Sequence, residues 1–426
     1  MSITSEWTKG KIGDICIVGD GAHAKVERQI SGVMYLTSKN IKDSRLDISQ
    51  VTYISETDFN KHFRDESKAL TKIKPNDVIF GIIGTIGEPY IVNSRDRFGI
   101  SSSVAILRPN KSVIFPKYLF YWIENRIFQD ALYAIKRGVT QGYVSLEMIR
   151  SLPLYYPLLS IQKKIASILS SYDNLIENNT HRIEILEQMA KLIYEEWFVK
   201  FRFPGHGNVK MEPSELGEIP ERWKVSKIGD IFTVILGGTP SRKREDYWNG
   251  NIPWINSGKV NELRIINESE GITELGLKKS ATKMMPVRTT VLAITGATLG
   301  QISLTEIEVC ANQSVVGIYD EKKIYSEYIF LKINEIIDEV ILKAGGGAQQ
   351  HINKEIVNET EVTIPPANLI GEFNSIIKPI FNQISILLFK NQNLHKTRDL
   401  LLPKLISGEI DVSDLDIHIR NELLES

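Results

Sequence analysis

The pentapeptide KIGDI spans residues 11–15 and occurs again at residues 227–231. Further pairs of similar stretches follow both copies in the same order. They are YLTSKNIKDSRL from Tyr35 with WINSGKVNELRI from Trp254, IIGTIG up to Gly87 with TGATLG up to Gly300, SSSVAIL from Ser101 with NQSVVGI from Asn312, and RGVTQGYVSLEMI from Arg137 with GGGAQQHINKEIV from Gly345. Arg45 and Arg264 occupy the same position in the first pair. Matches in one order over this length predict a tandem duplication.

Each copy has the same internal order of patterns. Short β-branched and aromatic runs come first, separated by Gly, Asn and Ser clusters, which is typical of strands joined by loops with some helix between them. After Pro157 and after Pro366 the apolar spacing changes to alternating threes and fours, which predicts a long coiled-coil-like helix. The two apolar seams consist of Ile161, Ile165, Ile168, Tyr172, Leu175, Asn179, Ile183, Leu186, Ala190, Ile193 and Trp197, and of Leu369, Phe373, Ile376, Ile380, Ile384, Leu387, Asn391, Leu394, Arg398, Leu401 and Leu405.

These patterns predict an α+β protein with two duplicated globular α/β regions and two long antiparallel helices. The predicted segments are a first globular region at 1–156, a helix at 157–200, a linker at 201–219, a second globular region at 220–365, a helix at 366–408 and a tail at 409–426. Charge favours the antiparallel arrangement, because it would place Glu177 near Lys390 and Glu187 near Lys378. Pro379 and Pro403 are expected to bend or end the second helix.

Composition limits the classes of function. With 42% apolar and 24% charged residues the sequence is that of an ordinary soluble globular protein. It contains neither an apolar run of membrane-spanning length nor a signal-peptide pattern, and its two cysteines, Cys16 and Cys310, fit a reducing compartment, so we expect a cytoplasmic protein without a membrane partner. A net charge of −1 means that any nucleic acid must be bound by local basic patches.

Several stretches resemble the specificity subunit of type I restriction–modification systems. They are LIYEEWFVKFRFPG closing the first helix, GEIPERWKVSKIGDI and GGTPSRKREDYWNGNIPWINSGK opening the second globular region, and RDLLLPKLISGEI closing the second helix. The first copy departs from this pattern, with GDGAHAKVERQISGVMYL in place of the second stretch. The resemblance implies two target recognition domains, each reading half of a split site in double-stranded DNA, and two antiparallel helices that set the spacing.

The resemblance also implies partners that carry the chemistry. Methylation and cleavage would belong to two modification subunits and to restriction subunits. S-adenosylmethionine is then expected on the modification subunits, and ATP and magnesium on the restriction subunit, with no cofactor, metal or catalytic residue on this chain. The sequence agrees, because it has no P-loop, no amino-methyltransferase stretch and no Cys/His spacing that suits zinc.

Candidate DNA-binding residues are basic and amide side chains in loop-like sequence, where glycines would let the backbone approach DNA. In the first copy they are Lys25, Arg28, Lys39, Asn40, Lys42, Arg45, Lys136, Arg137, Thr140 and Gln141, and in the second Arg242, Lys243, Arg244, Asn256, Lys259, Arg264, Lys343, Gln349 and Gln350. Each of them has the alternative of being a solvated charge or a turn-capping side chain.

Candidate docking residues for the modification subunits are Trp197, Phe198 and Phe201 at the end of the first helix, and Leu401 and Leu405 at the end of the second. The alternative is that they pack beneath the neighbouring globular region. Two other functions also remain open: a helical scaffold without a DNA role, and a DNA methyltransferase or nuclease with its own catalytic domain. Near-equal halves speak against the enzyme, and basic loops at matching places speak against the scaffold.

Overall fold

The computed structural model describes residues 7–65, 69–137, 143–343 and 352–417. Contacts divide the chain into two compact units, with unit 1 comprising residues 1–176 and 393–426 and unit 2 comprising residues 177–392. This division passes through both long helices, so each unit holds one copy of the repeat and part of each helix. None of the described helices combines the length and the apolar character that a membrane-spanning helix needs.

The first copy is built from short strands and helices that lead into the first long helix. Its strands are β1 (Thr8–Lys11), β2 (Cys16–Asp20), β3 (Val33–Leu36), β4 (Ile41–Lys42), β5 (Arg45–Leu46), β6 (Thr52–Ile54), β7 (Val78–Gly81), β8 (Pro89–Ile91), β9 (Phe98–Ile100), β10 (Val104–Pro109) and β11 (Pro153–Tyr156). Its helices are α1 (Ile12–Ile15), α2 (Glu56–His62), α3 (Pro116–Glu124), α4 (Arg126–Arg137) and α5 (Leu146–Ser151), followed by the long α6 (Leu159–Tyr194) and a π-helical turn (Glu195–Val199).

The second copy repeats this order after a small hairpin. The strands are β12 (Met211–Ser214) and β13 (Gly217–Pro220) of the hairpin, then β14 (Lys224–Lys227), β15 (Thr233–Leu236), β16 (Trp248–Ile255), β17 (Arg264–Ile265), β18 (Glu270–Ile272), β19 (Met284–Met285), β20 (Thr290–Ala293), β21 (Ile302–Thr305), β22 (Val309–Ala311), β23 (Val315–Tyr319) and β24 (Glu361–Ile364). The helices are α7 (Ile228–Ile231), α8 (Glu274–Lys278), α9 (Ser326–Lys343), α10 (Lys354–Glu359) and the long α11 (Ala367–Ser407).

The two copies share a common set of strand pairings. One sheet of the first copy has the order β2-β10-β7-β8, and its counterpart in the second has the order β15-β23-β20-β21-β17, with β17 as an additional edge strand. The other sheet is β6-β3-β9 in the first copy and β18-β16-β22-β19 in the second, with β19 added, and the corresponding strands β3 and β16 each have one antiparallel and one parallel neighbour. The first and last strands of each copy also pair, β1 with β11 and β14 with β24. The predicted duplication and the α+β class are therefore confirmed.

Strand β10 shows why the SVAIL run is apolar at every position. Ala105 and Leu107 point into a core that contains α3, while Val104 and Ile106 point into a second core shared with the other sheet. Successive side chains of a strand alternate between its faces, so a strand covered on both sides needs apolar residues throughout. Strand β23 of the second copy has the same double burial.

The repeated KIGDI motif forms the turn from the first strand of each copy into the one-turn helix α1 or α7. The backbone N–H of Ile12 donates to the carbonyl of Leu152 at 3.0 Å, and that of Ile228 donates to the carbonyl of Thr360 at 2.9 Å. A Cβ added to Gly13 would lie 2.8 Å from the Cβ of Arg150 in α5. The glycine is thus required for close packing of α1 against α5.

We expect Gly13→Ala to destabilise unit 1 by about 1–3 kcal/mol, because the added methyl group overlaps the base of the Arg150 side chain. Gly371→Ala is the matched control. Gly371 lies in α11 with open space around its Cα, and alanine should stabilise the helix there by roughly 0.5–1 kcal/mol. Urea denaturation of both variants measures the difference, and equal effects would contradict the packing explanation.

The long helices α6 and α11, of 36 and 41 residues, run antiparallel in each unit. In unit 1, Arg398 Nη1 donates to Asp173 Oδ1 at 2.8 Å. In unit 2, Asn179 Nδ2 donates to Asn391 Oδ1 at 2.8 Å, and 18 residues further along α6 the Trp197 ring lies 5.8 Å from that of Phe373, 18 residues back along α11. The predicted antiparallel direction is confirmed.

The structure corrects the expected effect of the prolines and the expected charge pairs. Helix α11 continues through both Pro379 and Pro403, so neither proline ends it, and the expected bend stays a prediction. Glu187 does not pair with Lys378, because its carboxylate accepts from Arg264 while Lys378 Nζ donates to the carbonyl of Lys323. Among the described residues no ion pair joins Glu177 to Lys390 either. The packed seams and the contacts Asn179–Asn391 and Asp173–Arg398 therefore order the helices, and the two expected Glu–Lys pairs do not.

The pair Asn179–Asn391 is a buried polar contact within an otherwise apolar seam, of the kind that fixes helix register at a cost in stability. We expect the double substitution Asn179→Leu with Asn391→Leu to raise the free energy of unfolding by about 1–3 kcal/mol, in line with apolar replacement of buried polar pairs. Thermal unfolding measures this gain, and light scattering shows whether the loss of register allows oligomers. A lower melting temperature of the double variant would contradict the expectation.

Candidate nucleic-acid interface

The basic loop of the second copy holds two arginines in fixed positions. The Arg242 guanidinium lies 3.6 Å from the ring centroid of Trp248 and forms two hydrogen bonds, of 2.6 and 2.7 Å, with the Glu270 carboxylate. These bonds raise the pKa of Arg242 and lower that of Glu270, so both stay charged at neutral pH. Arg244 pairs in the same bidentate way with Asp246.

Lys243 differs from the arginines on either side of it. Its side chain is exposed and, within the part of the chain that the structure describes, has neither an ion pair nor a side-chain hydrogen bond. Since Arg242 and Arg244 are paired locally, Lys243 is the basic side chain of this loop that can reach a phosphate without first breaking an ion pair. The exposed Glu245 lies two residues away, so the attraction of Lys243 for a polyanion acts at short range.

Asn256 and Lys259 belong to a 3₁₀ turn at residues 257–261. The exposed Asn256 caps this turn, because its Oδ1 accepts from the backbone N–H of Lys259 at 3.2 Å. Lys259 pairs with Glu262 at 2.7 Å, and only 14% of its side chain is exposed. DNA contact by either residue stays a prediction. Lys259 is less accessible to DNA than Asn256, because it is paired and mostly buried.

The candidates of the first copy occupy a corresponding surface with looser attachments. Lys25, Arg28, Lys39 and Arg45 are exposed, and the Arg28 guanidinium lies 5.8 Å from the Tyr35 ring centroid. The exposed Lys42 pairs with Asp47 at 2.7 Å, and the half-buried Lys136 lies 5.9 Å from the Tyr133 ring. Among the described residues of this copy, no arginine lies near two tryptophan rings as Arg242 does, in agreement with the departure of the first loop from the family pattern.

The prediction of DNA contact is wrong for Asn40. Its side chain is buried, and Oδ1 accepts from both the backbone N–H and the hydroxyl of Thr37. Its Nδ2 donates to the carbonyls of Asp47 and Gln50 at 3.1 Å each. Every hydrogen-bonding group of Asn40 is used to hold this loop.

The prediction is also wrong for Arg264. None of its side chain is exposed, and its Nε and Nη2 donate to Glu187 Oε1 of α6 at 2.9 and 2.6 Å. It therefore attaches the second copy to the long helix. Six predicted contacts cannot be placed: Thr140, Gln141, Gln349 and Gln350, and the side chains of Arg137 and Lys343, lie outside the described residues.

The five candidate docking residues pack inside their own units, as the alternative interpretation held. Trp197 and Phe198 are buried in the core of unit 2, where Phe201 also contacts Trp223 edge to face. Leu405 is buried and Leu401 half-buried in the core of unit 1. Trp197, Phe198 and Leu405 are thus not open to a partner in this structure, while docking at the half-buried Phe201 and Leu401 stays a prediction.

Exposed apolar side chains lie elsewhere on the long helices. Leu192 of α6 and Leu400 of α11 are 59% and 60% exposed, and they stand at equivalent places, each two residues after the ninth position of its seam. Ile185 and Met189 continue the stripe on α6, at 43% and 44% exposure. The sequence contained a signal for this exposed stripe. Ile185, Met189 and Leu192 form a second series of apolar residues at helical spacing, beside the seam of α6.

The two cysteines are free and buried. Burial raises the pKa of the Cys16 thiol to about 12 and that of the Cys310 thiol to about 11, so both stay protonated at neutral pH. No group of three or more His, Cys, Asp and Glu side chains in the described ranges is arranged to hold a metal ion. The thiols act as core residues.

Comparison with known proteins gives consistent similarities. The family model "Type I restriction modification DNA specificity domain" matches residues 4–188 and 220–396. The MjaIX type I restriction enzyme specificity subunit of Methanocaldococcus jannaschii is 24% identical over 97% of this chain and 95% of its own length. The HindI specificity subunit of Haemophilus influenzae is 23% identical over 80% of this chain and 88% of its own length.

The fold is also similar to a solved structure. The type I restriction–modification S subunit from M. genitalium has a TM-score of 0.60 and 15% identity, and the similarity covers 95% of this chain and 96% of that one. The family model covers both copies of the repeat and most of the two long helices. The chain belongs to the type I restriction modification DNA specificity domain family.

Proposed function

We propose that this chain is the DNA-recognition subunit of a type I restriction–modification complex, in which each copy of the repeat is a target recognition domain that reads one half of a split site. The observation that carries the proposal is the family match over both copies. The shared strand order with different loops supports it, since one frame then presents two different reading surfaces. Base edges would be read by loop side chains, and phosphates by residues such as Lys243.

The long helices would set the gap between the half-sites. At a rise of 1.5 Å per residue, α6 and α11 are about 54 and 62 Å long. Two reading units that approach the same face of B-DNA need half-sites roughly one turn, about 34 Å, apart. A fixed helix length favours a fixed gap.

Catalysis would belong to partner subunits in the cytoplasm. We propose two modification subunits that bind S-adenosylmethionine, and restriction subunits that use ATP and magnesium. The equivalent exposed leucines, Leu192 and Leu400, support one modification subunit for each long helix. The chain itself would be non-catalytic.

The test is methylome sequencing of cells that express this chain with its modification subunit. We expect a methylated motif in two defined parts with an undefined gap. Replacing residues 1–156 by the corresponding region of a relative should change only one part. A continuous motif would contradict split-site reading, loss of dependence on this chain would favour the scaffold, and methyl transfer by the chain alone would favour the enzyme.

Lys243→Ala is expected to weaken DNA binding by the assembled complex to a similar degree for all sequences, because a lysine that contacts phosphate adds charge without sequence information. The slope of log K against log salt should become shallower by about 1. Lys224→Ala, at an exposed position of β14, is the control and should leave the slope unchanged. A changed methylation motif in Lys243→Ala would instead assign base reading to this residue.

A further inference from the structure

The attachment of the second copy to the long helices is a buried polar network in unit 2. Arg264 donates to Glu187 of α6, and its guanidinium lies 4.3 Å from the Phe381 ring centroid of α11. Ser385 of α11 donates to Glu306 at 2.9 Å. Arg288 adds a hydrogen bond to Asn382 of α11 and lies 3.4 Å from the Glu306 carboxylate.

Burial makes this network depend on matched charges. Burial raises the pKa of Glu306, and the charges of Arg288 and Arg264 act against that rise. The Arg264 side chain has no exposed area, and the Glu187 side chain has 17%. A buried arginine that loses its acid keeps the desolvation cost without the compensating attraction. The residues of α6 and α11 that contact this network, such as Glu187 and Ser385, therefore decide whether the second copy packs stably on the helices.

The repeat gives three members of this network a counterpart in the other half of the chain. Arg45 is the counterpart of Arg264. Glu187 directly follows the eighth position of the first seam, and His395 directly follows the eighth position of the second, so the two helices correspond at an offset of 395 − 187 = 208 residues. The acid that pairs with an arginine in unit 2 thus corresponds to an imidazole in unit 1. The same offset of 208 residues pairs Ser385 with Glu177.

Unit 1 accommodates this difference by leaving its arginine in solvent. Arg45 is exposed and forms no ion pair or side-chain hydrogen bond with any described residue. Burial lowers the pKa of His395, and the positive charges of Arg398 and Arg45 act in the same direction. An arginine buried at this place would meet His395 and Arg398 in place of Glu187, and the nearby acids Asp173 and Asp399 already accept hydrogen bonds from Arg398.

Unit 1 attaches its copy through other residues. The Tyr121 hydroxyl of α3 donates to Asp173 Oδ2, and Arg398 of α11 donates to Asp173 Oδ1. The counterparts of these residues in unit 2 are apolar. Leu331 replaces Tyr121, Phe381 replaces Asp173 and Ala190 replaces Arg398. The polar contacts that hold the first copy in unit 1 thus cannot form in unit 2, and those that hold the second copy in unit 2 are not repeated in unit 1.

We propose that residues 187 and 395, with 177 and 385, are positioning residues that assign each recognition domain to its own end of the helix pair, so that the two domains cannot exchange places. The consequence for DNA rests on the proposed function. The order of the two half-sites relative to the chain is then set by the helices as well as by the order of the domains.

The test is a full-length chain in which residues 1–156 are replaced by a second copy of residues 220–365. In one version the helices are unchanged, and in the other they carry His395→Glu and Glu177→Ser, which reproduce the acid and the hydroxyl that Arg264 and Glu306 meet in unit 2. Limited proteolysis followed by mass spectrometry of large fragments gives the lifetime of the grafted copy, with the natural second copy of the same chain as internal reference. The two copies are identical in sequence, so each fragment is assigned by the long helix that it retains, α6 after the grafted copy and α11 after the natural one.

We expect the grafted copy on unchanged helices to be cleaved at least about ten times faster than the reference copy, and the two substitutions to restore most of its lifetime. Equal lifetimes without the substitutions, or no gain with them, would overturn the proposal, and failure of both versions to fold counts as no gain.

Point variants of the natural chain give an independent readout. Glu187→His should lower the melting temperature of unit 2 by on the order of 10 °C, while His395→Glu, at an exposed position, should leave that of unit 1 nearly unchanged. Similar effects of the two changes would also overturn the proposal. A restored grafted chain should methylate a motif with two identical, inverted halves. A stable chain without such a motif would contradict the proposed function and not the positioning role.

Discussion

Arg264→Ala should destabilise unit 2 by about 3–5 kcal/mol, because it removes the buried arginine that pairs with Glu187 and leaves the buried Glu306 with the charge of Arg288 alone. The loss also removes the guanidinium that packs between the Phe330 and Phe381 rings, at 4.7 and 4.3 Å from their centroids. Hydrogen–deuterium exchange should show faster exchange in β17 and β21 and little change in unit 1. Urea denaturation measures the size of the effect.

Arg242→Ala is the control for this prediction. Arg242 also forms a bidentate pair with a glutamate and also packs on aromatic rings, but 54% of its side chain is exposed. Exposed pairs contribute about 0.2–1 kcal/mol, so the control should lose about 1 kcal/mol or less. Equal losses for the two variants would show that burial does not set the strength of the Arg264 contact.

Phe198→Ala should destabilise unit 2 by about 3–5 kcal/mol, the usual cost of removing a buried phenylalanine. The ring of Phe198 lies 4.7 Å from that of Phe373 and 5.0 Å from that of Tyr328, both edge to face. It therefore joins the end of α6 to α11 and α9. Thermal unfolding, with exchange rates in α9, measures the loss.

Leu192→Ala separates folding from docking. Leu192 lies on the same helix but is 59% exposed, so its replacement should change the free energy of unfolding by less than about 0.5 kcal/mol. If the proposed docking is correct, this variant loses co-purification with the modification subunit. A stable Phe198→Ala variant that specifically loses the partner would return the docking role to the end of α6.

The features that the sequence predicted correctly are carried by local periodicity. The duplicated stretches, the doubly buried runs such as SVAIL and most of the seam of α6 repeat at the spacing of a strand or a helix. The family resemblance rested on such stretches and was confirmed. The seam assignment is wrong at Leu175, which is 53% exposed, while the next residue, Ile176, is buried. Helix α11 continues through Pro379, where the sequence allowed it to end. Seam packing around Phe373 and Phe381 outweighs the hydrogen bond that this proline removes.

The site was harder to predict because exposure depends on contacts between distant segments. Arg45 and Arg264 occupy the same place in the repeat, yet one is exposed and the other has no exposed side-chain area. The difference comes from Glu187, which lies 77 residues away from Arg264 along the chain. For Trp197 and Phe198 the seam showed excess apolar surface, but its covering by α9 and Trp223 has no periodic signal.

Strand β10 has no side that faces solvent, and this restricts how proteins with this architecture can change. A substitution at Val104, Ala105, Ile106 or Leu107 disturbs one of two cores, so selection should remove most variation there. The exposed loop positions 241–246 of the second copy carry no such burden, because side chains there do not enter a core. Changes in the recognised DNA sequence are therefore expected at exposed loop positions. Such changes can accumulate in evolution while the fold stays the same.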